Sequence, residues 1–168
     1  MEITRANVTT RIVRGVLGGA LGASAMTIVR LTARRLGLVE AMVPQSAEAR
    51  VTEASGVEPP GGRIGHQATA EVLHHGYGAA FGALMALAAR DPGDGVVGRG
   101  LVFGAGVWLL SMLGVVPVLG LAPPPWRARG SVNAVNGASH LIYGLATALV
   151  VAELTRQTWR PATWRKVG

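Results

Sequence analysis

The side chains able to do chemistry gather in two short stretches. His74-His75-Gly76-Tyr77-Gly78 and His140-Leu141-Ile142-Tyr143-Gly144 both read H-x-x-Y-G, and between them they hold three of the four histidines and both tyrosines of the chain. Residues three apart share one face of a helix, so His74 projects with Tyr77 and His140 with Tyr143. Four chemistries are open to such pairs. They can hydrogen-bond across packed helices and fix their register. Together with Glu71 they can form a proton- or ion-handling path, because ionisable groups within a membrane often mark pathways. Histidines on facing helices, His74 or His75 with His140, can ligate haem. Glu71-Val72-Leu73-His74 is also the E-x-x-H half-motif of di-iron bundles.

The sequence separates these readings. The counterpart of Glu71 in the second stretch is Gly137, and the other carboxylates of a dinuclear site are missing. No further feature supports haem. Buried polar groups serve packing first, which favours the structural reading, with the pathway as its functional alternative. The expected inward cluster is Glu71, His74, His75, Tyr77, His140 and Tyr143, with no cofactor and no metal. The chain has no cysteine, which removes thiolate metal sites and cysteine nucleophiles. No nucleotide loop, nucleophile elbow or HExxH is present, and Ser24, Ser111 and Ser139 have no histidine–acid relay in sequence. Catalysis is not expected.

The elements that must position these groups are apolar. Of 168 residues, 49% are hydrophobic and 15% charged, against about 25% charged in ordinary soluble domains. Mean hydropathy is +0.37 although the net charge is +7. Too few charged side chains remain to coat a soluble globule, and there is too much apolar character for disorder. Four apolar segments, about 12–29, 68–89, 100–119 and 137–154, each approach the roughly 20 residues that a helix needs to cross a bilayer. The 16 basic residues are spread along the chain, mostly at segment edges, so anionic lipid headgroups are the expected partner and nucleic acid is not.

Ala23-Ser24-Ala25 has the form of a signal-peptidase site, but Arg14 interrupts the preceding apolar run and apolar character continues to Val29, so a retained first helix is expected. Leu31 to Val39 can continue that helix or lie on the membrane surface. The stretch 44–65 reads as a polar loop with a short helix before the Pro59-Pro60-Gly61-Gly62 turn. Asp91-Pro92-Gly93-Asp94-Gly95 reads as a tight turn joining an antiparallel pair. Pro117 should end the third helix, and Trp126 suits a membrane interface. Nine of the 16 basic residues (Arg5, Arg11, Arg14, Arg90, Arg99, Arg156, Arg160, Arg165 and Lys166) fall on the side of the two termini, which places both termini in the cytoplasm.

The paired motifs suggest a duplication. Arg14-Gly15-Val16-Leu17-Gly18-Gly19-Ala20 echoes Arg99-Gly100-Leu101-Val102-Phe103-Gly104-Ala105, as the second H-x-x-Y-G echoes the first. Two copies of a two-helix hairpin in the same topology follow, an all-α four-helix transmembrane bundle forming a single domain over 1–168. Small residues one turn apart let helices approach closely, so Gly15, Gly18, Gly19, Gly22, Gly78, Gly82, Gly100, Gly104, Gly144 and Ala148 are the expected packing surfaces.

The run Pro117-Val118-Leu119-Gly120-Leu121-Ala122-Pro123-Pro124-Pro125-Trp126, followed by His140, resembles the YagU-type bacterial inner-membrane proteins, which have a similar P-x-x-G-x-x-P-x-P-W stretch after their third helix and a histidine in their fourth. The resemblance covers about residues 74–150. It implies four spans and a bacterial inner-membrane location, and it brings no catalytic residues. The expected function is that of a structural or interaction component packing with itself or a membrane partner. The alternative is a small transporter or proton-coupled pore lined by the His-Tyr pairs.

Overall fold

Apolar runs of this length form long helices, and the computed structural model, which describes residues 8–39, 43–89 and 95–158, is helical with no strand among the described residues. The helices are α1 (Val8–Arg35), α2 (Val43–Ser55), α3 (Arg63–Ala88), α4 (Val96–Val118) and α5 (Gly130–Thr158). Helices α1, α4 and α5 are long and apolar enough to cross a membrane. Even α4, with 23 residues, covers about 35 Å at 1.5 Å per residue, more than the hydrocarbon core. Helix α3 has 26 residues but is not among these apolar helices. Its first half carries Arg63, His66, Gln67, Glu71, His74 and His75. Residues 91–94 of the turn expected at 91–95, and the basic residues Arg5, Arg90, Arg160, Arg165 and Lys166, lie outside the described residues.

The helices outrun the expected segments by several residues at most ends, because helix formation does not stop where apolarity does. Helix α1 continues to Arg35 and closes with Gly37 at φ 71°, where Leu38 N–H donates to the Ala33 carbonyl and Gly37 N–H to that of Arg34. Gly120, at φ 68°, ends α4 in the same way, Leu121 N–H donating to the Val116 carbonyl and Gly120 N–H to that of Pro117. Only a residue without a Cβ takes this left-handed position without strain. Pro117 lies inside the last turn of α4 rather than ending it. Residues Ser111–Val115, just before it, widen into a π-helical turn. Proline removes one donor and crowds the preceding turn, and the wider turn accommodates that misfit. The short helix expected within the polar stretch 44–65 runs over Val43–Ser55, and it is not wholly solvent-facing, since Pro44 and Glu48 are buried.

Glycine decides which helices touch. A Cβ on Gly15 would sit 2.6 Å from Ala83 Cα, and one on Gly19 would strike the Gly78 carbonyl, so α1 and α3 pack backbone on backbone. A second stripe on α1, Gly18 and Gly22, faces Thr147, Val151 and Tyr143 of α5. Gly100 and Gly104 of α4 lie against Gly144, Leu145 and His140 of α5. All three pairs run antiparallel, giving the spatial order α3–α1–α5–α4. Every glycine expected to form a packing surface is at one of these contacts, and Ala148 is buried against Gly100. The core is small: Met26, Val107 and Tyr143, with Phe81 and Phe103 packed around them.

The two ends of this row do not close. Helices α3 and α4, consecutive in the chain, barely touch one another. Helix α1 has glycine stripes on two faces, but α4 carries Phe103 and Val107 beside its single Gly100/Gly104 stripe. Bulk at those two positions prevents the backbone approach that glycine permits elsewhere in the row.

Candidate functional site

A cavity of about 720 Å³ occupies the gap between α3 and α4. Helices α1 and α5 form its floor, and α2 borders one end through Ala47 and Val51. Most of its wall is apolar, including Met26, Val107, Met112, Val116 and Leu119. The polar groups on it come from all five helices: Arg30 of α1, Arg50 and Glu53 of α2, His74 and Tyr77 of α3, Ser111 of α4, and His140 and Tyr143 of α5.

The structure therefore divides the cluster expected from the sequence. His74, Tyr77, His140 and Tyr143 line the cavity, whereas Glu71 and His75 turn elsewhere. The His75 ring meets the Glu71 carbonyl at 2.9 Å through Nδ1 and Ser24 Oγ at 3.1 Å through Nε2, with the Glu71 carboxylate 3.5 Å from Nδ1. Both side chains are about one-third or more exposed. Among the described residues no three histidine or carboxylate side chains converge as metal ligands.

The tyrosines each reach from one hairpin to the other. Tyr143 Oη, buried at 3% exposure, donates to the Gly78 carbonyl at 2.7 Å, tying α5 to α3. Tyr77 Oη and Ser111 Oγ meet at 3.0 Å, tying α3 to α4 within the π-helical turn. Thr147, fully buried, returns its hydroxyl to the Tyr143 carbonyl at 2.7 Å.

Each cavity histidine spends one ring nitrogen on a backbone carbonyl. His140 Nδ1 donates to the Asn136 carbonyl at 2.7 Å, and His74 Nε2 donates to that of Ala23 at 3.3 Å. A carbonyl only accepts, so in each neutral ring the second nitrogen carries a lone pair. These rings can accept a proton or a hydrogen bond at the cavity.

Arg30 is the group that the sequence reading treated only as the end of a segment. It is 5% exposed and lines the cavity. Nη2 donates to Asn136 Oδ1 at 3.3 Å, while Nε is enclosed without a hydrogen-bond partner. No carboxylate pairs with it among the described residues. Its position was legible in the spacing. Gly19, Gly22, Met26 and Arg30 recur at helical intervals, which places Arg30 on the face already assigned to packing. Asn136 is the shared anchor, its side chain holding Arg30 and its carbonyl holding His140.

A second polar group fastens α2. Glu48, 5% exposed, meets His66 Nδ1 at 2.6 Å and accepts from Thr52 at 2.8 Å, and Glu58 lies 3.2 Å from His66 Nε2. The hydrogen bond from His66, then that from Thr52, holds the Glu48 carboxyl below its ordinary value. The Glu48 hydrogen bond pushes the His66 imidazole up, with the charges of Glu48 and Glu58 adding to it. Nothing in the sequence spacing pairs residues 48 and 66, because the turn at 56–62 brings them together. Arg11 makes a comparable long-range contact. Its guanidinium donates to the carbonyls of Ala86 (2.8 Å), Leu87 (2.8 Å) and Ala89 (2.6 Å), covering the end of α3. Glu153 accepts from Gln157 at 3.0 Å.

Comparison of the chain with models of protein families, with curated proteins and with solved structures finds no match.

Proposed function

We propose that the chain is an integral membrane protein of four spans, α1, α3, α4 and α5, that acts without covalent chemistry by holding a membrane component in the opening between α3 and α4. The observation that carries this reading is the unclosed row of helices. Three antiparallel contacts are sealed by glycine, and the fourth side of the bundle is left as a cavity walled mainly by apolar side chains. The polar half of α3 fits a span because Tyr143, Ala23 and Ser24 engage its carbonyl and histidine groups from neighbouring helices. The paired tyrosine ties and the matched ends at Gly37 and Gly120 support two copies of one hairpin. In that alignment Phe103 and Val107 of the second copy stand where the first has Gly18 and Gly22. A duplicated bundle would thus lose one of two equivalent contacts and gain the cavity. The likeness of the second half to YagU-type proteins supports a bacterial inner-membrane location, and the balance of basic residues supports cytoplasmic termini.

The absence of cysteine makes the test direct. Thr9→Cys and Gln157→Cys should label from one side of the membrane with an impermeant maleimide, and Gln45→Cys from the other. Labelling of positions 9 and 157 from opposite sides overturns the four-span arrangement. Recovery of the chain in the soluble fraction without detergent overturns membrane residence itself.

His74 and His140 beside Arg30 favour a second reading, proton-coupled transport through the cavity. It requires reproducible flux in proteoliposomes that is lost in a stably folded His140→Leu variant. Flux equal to that of empty liposomes leaves the binding role.

A further inference from the structure

Arg30 presents an unusual balance of charge. A guanidinium carries five N–H donors and a permanent positive charge. Here it is 5% exposed, gives one hydrogen bond to Asn136, leaves Nε unpartnered, and pairs with no carboxylate among the described residues. Glu53, the acidic residue on the cavity wall, is taken by Arg50 at 2.8 Å. Burying a cation without a counter-charge is costly, and the neighbouring groups do not relieve it. His74 and His140 lie within electrostatic reach of Arg30 and carry no negative charge. The missing component is an anion.

The rest of the cavity says what kind of anion. Its volume falls within the roughly 300–1,000 Å³ usual for small-ligand sites. Beyond Arg30, the His-Tyr groups, Ser111 and the Arg50–Glu53 ion pair of α2, the wall is hydrocarbon, with Met112, Val116 and Leu119 on α4 and Val51 on α2. A free inorganic anion would satisfy the guanidinium and leave that apolar wall unfilled. A neutral hydrocarbon would do the reverse. An acyl chain ending in a carboxylate or phosphate satisfies both, and the gap between α3 and α4 gives it a lateral way in.

We infer that the cavity between α3 and α4 binds an anionic lipid amphiphile, its carboxylate or phosphate head on Arg30 and its hydrocarbon along Met112, Val116 and Leu119. The inference rests on the membrane reading above. Asn136 is a positioning residue, since it holds the guanidinium without itself facing the anion's charge. A guanidinium engages a carboxylate or phosphate through two parallel hydrogen bonds, which a lysine cannot match.

The test is native mass spectrometry of the detergent-purified full chain, titrated separately with oleate, phosphatidylglycerol, phosphatidylcholine and inorganic phosphate. Oleate or phosphatidylglycerol should be retained in preference to the other two, and which of them is held distinguishes a free acid from a phospholipid. Arg30→Gln should weaken that retention about thirtyfold or more, the loss expected when one partner of a buried charge pair is removed. Arg30→Lys should recover only part of it. Met112→Trp, which fills the apolar wall and keeps Arg30, should weaken retention of the amphiphile as well. Arg34→Gln, an exposed position on α1 that does not line the cavity, should behave as the parent. In delipidated detergent Arg30→Gln should be at least as stable as the parent, because its positive charge is then uncompensated. Equal retention of phosphatidylcholine, retention of inorganic phosphate alone, or unchanged binding in Arg30→Gln overturns the inference. So does a marked loss of stability in delipidated Arg30→Gln, which would make the guanidinium structural. A protein that extracts only with detergent yet shows no such selectivity fails this inference alone, whereas one that is soluble without detergent fails the membrane reading.

Discussion

Replacing Gly19 by alanine puts the glycine packing to a quantitative test. The added Cβ would strike the Gly78 carbonyl oxygen and lie 2.9 Å from its carbon and 3.0 Å from Ala79 Cα. Carbon atoms rest at about 3.5–4.0 Å, so α1 and α3 must part by roughly 0.5–1 Å over this stretch. A gap of that size forfeits about a quarter to a half of the dispersion attraction it opens. The obstructing atoms are backbone on both sides, so no side chain can swing away. Overpacking of this kind costs about 1–3 kcal/mol. The lower chain entropy of alanine returns about 0.4–1 kcal/mol. A net loss of about 1–2 kcal/mol follows, raising the unfolded fraction roughly 5- to 30-fold. Gly106→Ala is the matched control, because nothing lies within 4 Å of its Cβ position. It should be neutral or slightly stabilising. The measurement is unfolding in mixed micelles by titration with sodium dodecyl sulfate, followed by helical circular dichroism. If Gly19→Ala and Gly106→Ala unfold at the same point, close backbone approach is not what joins α1 to α3.

Three other outcomes are expected. Tyr143→Phe should cost about 0.6–1.7 kcal/mol in the same titration, the range for hydrogen bonds between membrane helices, and Tyr77→Phe less, since that side chain is 38% exposed; equal losses would contradict the burial difference. The attachment of α2 to α3 should depend on pH through Glu48 and His66. The raised imidazole contributes fully below its ordinary 6.5 and loses its contribution as pH rises through its folded value. The lowered carboxyl contributes fully above its ordinary 4.5 and loses its contribution as pH falls through its folded value. Hydrogen exchange of α2 should therefore be slowest between pH 4.5 and 6.5 after correction for intrinsic rates, and His66→Gln should flatten that dependence; an unchanged profile would remove the pair from the docking. Arg11→Ala should cost about 1–2 kcal/mol, as charged hydrogen bonds to the end of α3 are lost. Arg11→Lys should recover less than half of that because a point charge cannot span three carbonyls, and full recovery would refute the forked geometry.

Much of the scaffold was readable in the residues. Helical spans and small-residue stripes are local: apolar run length sets the first, and spacing of three and four sets the second. That is why the positions from Gly15 to Ala148 named as packing surfaces are at helix contacts. The H-x-x-Y-G pairs were visible for the same reason, and so was the inward face of Arg30, whose register with Gly19, Gly22 and Met26 the sequence already contained. The fates of individual polar groups were less legible. Glu71 and His75 share a helix with His74 and Tyr77 but do not line the cavity: His75 lies about 100° round the helix from His74, and Glu71, four positions before His75, pairs with it on that neighbouring side.

The remaining decisions were tertiary. Which two helices stay apart depends on the relative bulk at facing positions of chains far apart in sequence, here Phe103 and Val107 against the glycine pairs of α1. The contacts Glu48–His66, Arg11 with the end of α3, and Arg30–Asn136 join residues 18 to 106 positions apart. No periodicity encodes such pairings, because they exist only once the helices have chosen neighbours. By itself the sequence determined long apolar helices with glycine faces and ionisable groups among them. Only the packed structure left an arginine enclosed beside a largely apolar cavity with no counter-charge among the described residues, because burial and partnership are properties of the assembled bundle and not of any one helix.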